Sequence, residues 1–124
     1  MQATPGSRTL LVIDDDADTR YAIHEALEEC GYRVATAPDG EDALVQLHHG
    51  LRPDVVLVDL CMPVMDGWTF VARLRERTDF AGIPVVVMTA ANPRLMNVAP
   101  ASTTYVSKPL DLTMLVQTLE RCHA

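Results

Sequence analysis

Paired cysteines, an excess of basic residues and long hydrophobic runs are all missing from this sequence, and each absence excludes a class of protein. The 124 residues include three cysteines, an odd number, with no CxxC pair. This argues against a disulfide framework and a zinc site and fits a reducing cytoplasm. Lys and Arg total 10 against 17 Asp and Glu, a formal net charge of −7. We therefore expect no direct nucleic-acid partner.

No apolar stretch approaches the roughly 18 residues that a membrane span requires. The start, MQATPGSR, has no apolar segment of an export signal. We expect a cytoplasmic protein without a membrane span, in which residues 1–7 form a flexible segment and residues 8–124 form one domain. A chain of this length can bury a core without disulfides or a structural metal.

The sequence does contain apolar runs typical of strands, which alternate with stretches of helical period. Five runs predict strands: TLLVI, YRVATA, DVVLVD, IPVVVMTA and TYVS. Between the fourth and fifth, Pro93 and Pro100 favour a helix that is short or irregular. The last helix is predicted from apolar residues at helical spacing: Leu112, Leu115, Val116, Leu119 and Cys122.

The alternation of strands and helices predicts a parallel sheet with helices on both faces. Strands 1, 3 and 4 are the most apolar and belong at its centre, whereas strand 2, with Arg33 and Thr36, suits an edge. A single doubly wound, flavodoxin-like α/β sheet of five strands in the order 2-1-3-4-5 satisfies this pattern.

Aspartates follow two strands that this order makes neighbours. Asp14 and Asp15 come directly after strand 1, and Asp59 ends strand 3. The winding reverses between these strands, which are about 4.8 Å apart, so the carboxylates converge where a ligand is expected. Either a proton on one carboxylate or a hard divalent cation would relieve their repulsion. We favour the cation, Mg²⁺ or Mn²⁺, because the ligands are oxygens.

Two further side chains are predicted at the same edge. Thr89 ends strand 4 beside strand 3, and Lys108 ends strand 5, about 10 Å from Asp59 by strand spacing. This edge would then combine a carboxylate, a cation site, an ammonium group and a hydroxyl. Such a set can bind a phosphoryl group that is carried by an aspartate.

Asp16 is expected to cap the first helix, with a role in holding a metal-bound water as the alternative.

The motifs LLVIDDD, VDLCMPVMDG, VVMTA and TYVSKP, in this order, resemble the receiver domain of bacterial two-component response regulators over nearly the whole chain. The resemblance implies that Asp59 is the phosphoacceptor. It also implies that Asp14 and Asp15 form a metal pocket, to which Cys61 adds its backbone carbonyl, and that Lys108 binds the phosphoryl group.

The resemblance implies a switch as well. Thr89 and Tyr105 match the switch pair, in which the hydroxyl moves to the phosphoryl group and the ring turns inward. The bond between Lys108 and Pro109 is expected to be cis. Thr89 and Lys108 are 19 positions apart, a few fewer than usual in the family, which again points to an unusual segment between strands 4 and 5.

The implied partner is the phosphohistidine of a histidine kinase or a histidine phosphotransfer protein. The surface of the helix before strand 5, strand 5 itself and the last helix would then be read by a downstream protein or by an effector domain. Such a domain catalyses only its own phosphorylation and dephosphorylation. Whether the chain acts alone or belongs to a longer regulator or hybrid kinase stays open, as does homodimerisation of the phosphorylated form.

Two other functions compete with this interpretation. One is a small Mg²⁺-dependent phosphohydrolase with an aspartate nucleophile after strand 1; its DxDx[TV] signature nearly appears from Asp14, but Asp18 stands in the last position. The other is a flavodoxin-like cofactor binder, whose first loop should be rich in Gly, Ser and Thr, whereas this loop is acidic.

Overall fold

The computed structural model describes residues 8–60, 62, 64–89, 104–107 and 111–122. Within them, the strands are β1 (Thr9–Ile13), β2 (Arg33–Ala37), β3 (Val55–Asp59), β4 (Val85–Thr89) and β5 (Thr104–Ser107). The helices are α1 (Ala17–Glu29), α2 (Gly40–His48), α3 (Gly67–Arg75) and α4 (Leu112–Cys122). The irregular segment expected between β4 and β5 lies outside the described residues. No helix in the described ranges is long and apolar enough to cross a membrane.

The five strands form one parallel sheet in the order β2-β1-β3-β4-β5, which confirms the predicted topology. The register pairs Ile13 of β1 with Val58 of β3, and Asp59 with Met88 of β4. The carboxyl ends of the three central strands therefore meet at one edge. Among the described residues that the sequence singles out, this edge contains Asp14, Asp15, Asp59 and Thr89.

Apolar residues of the central strands alternate between the two faces of the sheet. On one face, Leu11 and Ile13 pack in a core cluster with residues of α2 and α3, and on the other, Leu10 and Val12 pack with residues of α1 and α4. All five residues of β3 are buried, as its unbroken apolar run predicts. The central strands are thus packed between two helical layers, which position the strand ends.

Each of the first three helices begins after an aspartate. Asp16, Asp39 and Asp66 precede α1, α2 and α3, and each carboxylate accepts a hydrogen bond from a backbone N–H two or three residues later, at 2.8 to 3.2 Å. These caps satisfy donors that a helix start leaves without partners. The predicted capping role of Asp16 is confirmed.

Tyr32, just before β2, connects this part of the chain to the last helix. Its hydroxyl donates a hydrogen bond to Oε2 of Glu120 in α4 at 2.7 Å. Burial, together with this hydrogen bond, raises the pKa of Tyr32 above that of a free tyrosine. The side chain thus remains a neutral donor over the physiological pH range.

Val64, in the loop between β3 and α3, has an unfavourable backbone conformation. Its φ is +71°, in the left-handed region, where a residue with a Cβ loses roughly 1–2 kcal/mol. Its side chain is 70% exposed, so little packing offsets this cost.

Replacing Val64 by asparagine should raise the free energy of unfolding by about 1 kcal/mol, because asparagine tolerates the left-handed conformation better than a β-branched residue. Urea unfolding measures the change. Val45→Asn is the matched control, since Val45 is 53% exposed but lies within α2. A loss of stability in Val64→Asn, or an equal gain in the control, would contradict the explanation.

Candidate functional site

The structure brings the three predicted aspartates together at the carboxyl edge of the sheet. One carboxylate oxygen of each of Asp14, Asp15 and Asp59 lies within 4.8 Å of the other two. Asp14 is fully buried and Asp59 is 5% exposed, whereas Asp15 is exposed. The cluster therefore has a buried floor and one side open to solvent, from which a ligand could enter.

Asp14 is held in place by neighbours on both sides. Its backbone N–H donates to the carbonyl of Ala37 at 3.1 Å, which extends the pairing of β1 with β2. Its Oδ1 accepts a hydrogen bond from the backbone N–H of Asp16 at 2.9 Å, and its carbonyl accepts one from Nη1 of Arg20 at 2.7 Å. These contacts fix the orientation of the carboxylate.

Asp59 is positioned by β4 on one side and by the start of α3 on the other. The N–H of Leu60 donates to the carbonyl of Met88, and the N–H of Gly67 donates to the carbonyl of Leu60, both at 3.0 Å. A Cβ at Gly67 would lie 2.7 Å from the carbonyl oxygen of Asp59. The absence of a side chain at Gly67 therefore allows α3 to approach the strand end that carries Asp59.

The two predicted switch residues occupy the neighbouring strands. Thr89 is the last residue of β4, is 2% exposed, and follows the residue that pairs with Asp59. Tyr105 lies on β5 opposite Val87. Its ring meets the ring of Trp68 edge-on, with centroids 6.4 Å apart and an interplanar angle of 78°.

Cys61, Lys108 and Pro109 lie outside the described residues. The carbonyl ligand predicted from Cys61, the phosphate-binding role of Lys108 and the cis bond before Pro109 thus stay predictions.

The three carboxylates fit a hard divalent cation. Their donor atoms are all oxygens, which Mg²⁺ and Mn²⁺ prefer. Mg²⁺ binds ligands at about 2.1 Å, so two ligands on opposite sides of one ion are about 4.2 Å apart. Oxygens within 4.8 Å of one another reach such a separation by a small rotation of their side chains.

Three residues that the structure places around the site were not identifiable from the sequence. Arg20 resembles any solvated arginine on a helix, and its contact with the Asp14 carbonyl depends on how α1 leaves β1. Gly67 belongs to a DG pair, which indicates a turn but not a close contact with Asp59. Trp68 looks like an ordinary helix residue until β5 places Tyr105 beside it.

The fold and the site together define a doubly wound α/β domain with an acidic pocket at the switch point between β1 and β3. The sequence matches the response regulator receiver domain over residues 10–120. The chain therefore belongs to the receiver-domain family of two-component signalling.

The first curated relatives that the chain matches are longer than the chain itself. The sensor histidine kinase CheAY of Helicobacter pylori is 31% identical over 122 residues, which are 95% of this chain and 15% of the relative. The transcriptional regulatory protein PrrA of Mycobacterium tuberculosis is 35% identical over 113 residues, 89% of this chain and 47% of the relative. The chain thus spans less than half of either protein.

Solved structures of similar size share this fold over most of the chain. The chemotaxis response regulator CheY4 of Vibrio cholerae superposes with a TM-score of 0.85 at 30% identity, covering 94% of this chain and 99% of that one. The receiver domain of the Francisella response regulator 1452 gives a TM-score of 0.80 at 27% identity, covering 94% and 96%. The fold predicted from the sequence is therefore that of known receiver domains.

Proposed function

We propose that this chain is a phosphorylation-dependent signalling switch in which Asp59 accepts a phosphoryl group from the phosphohistidine of a histidine kinase or phosphotransfer protein. The observation that carries the proposal is the convergence of Asp14, Asp15 and Asp59 at one sheet edge in a chain of the receiver family. Asp59 is the best acceptor of the three because it ends the central strand β3, between the other two carboxylates and Thr89 of β4.

In the proposed reaction, a carboxylate oxygen of Asp59 attacks the phosphorus atom of the donor. A P–O bond forms while the P–N bond to the donor imidazole breaks, and the imidazole leaves with the electron pair and takes up a proton. Asp14, Asp15 and the second oxygen of Asp59 would hold a Mg²⁺ ion together with the carbonyl of Cys61. When bound, this ion supplies positive charge close to the phosphoryl oxygens.

Lys108, Thr89 and Tyr105 have separate roles in the proposal. The Lys108 ammonium would bind a phosphoryl oxygen, and the Thr89 hydroxyl, at the end of β4 beside Asp59, would donate a hydrogen bond to another. The Tyr105 ring would then turn inward. Because phosphorylation interacts differently with the two arrangements, it shifts the balance between them and changes the β5 and α4 surface that a partner protein reads.

Acetyl phosphate with Mg²⁺, followed by intact mass measurement, tests this proposal. One added phosphoryl group is expected, and none when EDTA removes the metal. Steady release of phosphate from an ester without an added phosphoryl group would instead support the phosphohydrolase.

The residues that follow Asp59 and Thr89 in the sequence carry no amide or carboxylate side chain that could position an attacking water: Cys61, Met62, Ala90 and Ala91. The phosphoryl group should therefore be long-lived, and hydrolysis within seconds would contradict this.

Asp14→Asn should remove most of the stabilisation that Mg²⁺ gives to the folded protein. At a Mg²⁺ concentration 100 times the Kd, binding adds about 2.7 kcal/mol. The asparagine keeps an oxygen for the N–H of Asp16 but loses the charge that binds the cation. Thermal unfolding with and without Mg²⁺ measures the difference. Asp18→Asn is the control, because it removes a charge from the first turn of α1 outside the cluster. This variant should still be stabilised by Mg²⁺. Stabilisation of Asp14→Asn equal to that of the parent would contradict the assignment of Asp14 as a metal ligand.

A further inference from the structure

Trp68, the single tryptophan of the chain, has an unusual environment. Its indole Nε1 is buried and has no hydrogen-bond partner, which holds for no other buried side-chain polar atom in the described part of the chain. Folded proteins contain few such groups, because a buried donor without an acceptor loses its hydration and gains nothing in return. The conformation in the structure is therefore one that the Trp68 N–H disfavours.

The ring of Trp68 packs against the residue that the proposed switch moves. The edge-on geometry with Tyr105, at 6.4 Å and 78°, is an attractive arrangement of aromatic rings. Both rings lie at the margin of the core cluster formed by α2, α3 and the sheet. Tyr105 cannot change its position without altering what covers the indole.

Trp68 is also connected to the end of β3. It directly follows Gly67, whose N–H donates to the carbonyl of Leu60 and where an added Cβ would meet the backbone of Asp59. The first turn of α3 is thus fixed to the strand that carries the proposed phosphoacceptor. A movement of Tyr105 relative to this turn changes the contact between the two rings.

We propose that Trp68 is a positioning residue of the switch: its ring holds Tyr105 in the position seen here, and its N–H gains a hydrogen-bond acceptor when Tyr105 moves. This inference rests on the proposed function, in which phosphorylation of Asp59 moves Tyr105. The ring contact favours the resting arrangement, and the buried N–H favours the switched one. The Trp68 side chain therefore affects the free energies of both the resting and the switched arrangement.

The indole N–H resonance of the ¹⁵N-labelled protein tests the inference directly, because one tryptophan gives one signal. The protein is treated with acetyl phosphate and Mg²⁺, and intact mass on the same sample gives the phosphoryl content. We expect the indole proton to shift downfield, as hydrogen bonding deshields it. A phosphorylated protein with an unchanged indole signal would overturn the inference and leave the proposed function intact. Absence of any added phosphoryl group would overturn both.

Trp68→Phe separates the two effects, since it keeps an aromatic ring beside Tyr105 but removes the N–H. Labelling with 3-fluorotyrosine gives three ¹⁹F signals, one for each tyrosine, and the Tyr105 signal is the one lost in Tyr105→Phe. In the phosphorylated variant, the ratio of moved to resting Tyr105 should fall roughly fivefold or more. The reason is that the resting arrangement of the variant no longer contains a buried donor without an acceptor.

Tyr32 is the internal control for this measurement, because its hydrogen bond to Glu120 ties it to a region away from Trp68. Its ¹⁹F signal should be the same in the parent and in Trp68→Phe. An unchanged or increased ratio for Tyr105, at equal phosphoryl content, would overturn the proposed role of the N–H. If Trp68→Phe does not fold, the indole resonance of the parent protein decides alone.

Discussion

Gly67→Ala should destabilise the protein by about 2–3 kcal/mol, the cost of forcing an extra methyl group into a packed interior. The added Cβ would lie 2.7 Å from the carbonyl oxygen of Asp59 and 2.9 Å from Cα of Leu60. Both are backbone atoms, so no side-chain rotation relieves the contact. Either the start of α3 moves away and breaks the hydrogen bond from Gly67 to Leu60, or the end of β3 moves together with Asp59.

The effect of Gly67→Ala should extend to function, because either displacement changes the geometry around Asp59. Urea unfolding measures the stability, and the rate of phosphoryl uptake from acetyl phosphate measures the displacement. Gly82→Ala is the matched control, since a Cβ there meets no atom within 4 Å, and it should change stability by less than about 0.5 kcal/mol. Similar effects of the two substitutions would show that close approach to Asp59 is not what Gly67 provides.

Asp59→Asn should abolish the uptake of a phosphoryl group altogether. The amide has nearly the shape of the carboxylate, so the buried strand end should keep its structure. The amide has no anionic oxygen to attack phosphorus. The substitution also removes one of the three charges that would hold Mg²⁺. Intact mass after treatment with acetyl phosphate and Mg²⁺ should show one phosphoryl group on the parent and none on the variant.

Asp54→Asn is the control for this experiment, because Asp54 precedes the same strand at its opposite end. Its carboxylate accepts a hydrogen bond from the backbone N–H of Thr9 at 2.8 Å, a role that asparagine can retain. This variant should take up one phosphoryl group, as the parent does. Uptake by Asp59→Asn at the level of the parent would place the acceptor elsewhere, for example at Asp14, as the phosphohydrolase alternative requires.

Sheet topology and the position of the acidic site could be predicted from the sequence because both depend on strong, local signals. The unbroken apolar run of β3 requires burial on both faces, and the charged start of β2 suits an edge. With right-handed crossovers, these facts leave few strand orders. The order then forces Asp14, Asp15 and Asp59 to one edge, where the structure places them.

Element boundaries depended on contacts between distant parts of the chain and were less predictable. Tyr32 and Asp54 fit the strand pattern but precede β2 and β3. The side chain of Tyr32 bonds to Glu120 in α4, and that of Asp54 bonds to the backbone of Thr9. These partners lie 88 and 45 positions away, so no local pattern reveals them.

The contacts around the site were the least predictable features. The role of Gly67 depends on the distance between α3 and the end of β3, and the contact of Trp68 with Tyr105 depends on where β5 lies relative to α3. The left-handed backbone of Val64 contradicts the preference of a β-branched residue. In each case, the packing of elements overrides what the residue type alone favours.

The most direct test of the account identifies which carboxylate carries the phosphoryl group. Borohydride reduces an aspartyl phosphate to homoserine, and peptide mass spectrometry of the phosphorylated, reduced protein locates the modified residue. We predict homoserine at position 59 and an unmodified peptide that contains Asp14 and Asp15. Homoserine at position 14 or 15, or at no position in a protein that has gained a phosphoryl group, would contradict the account.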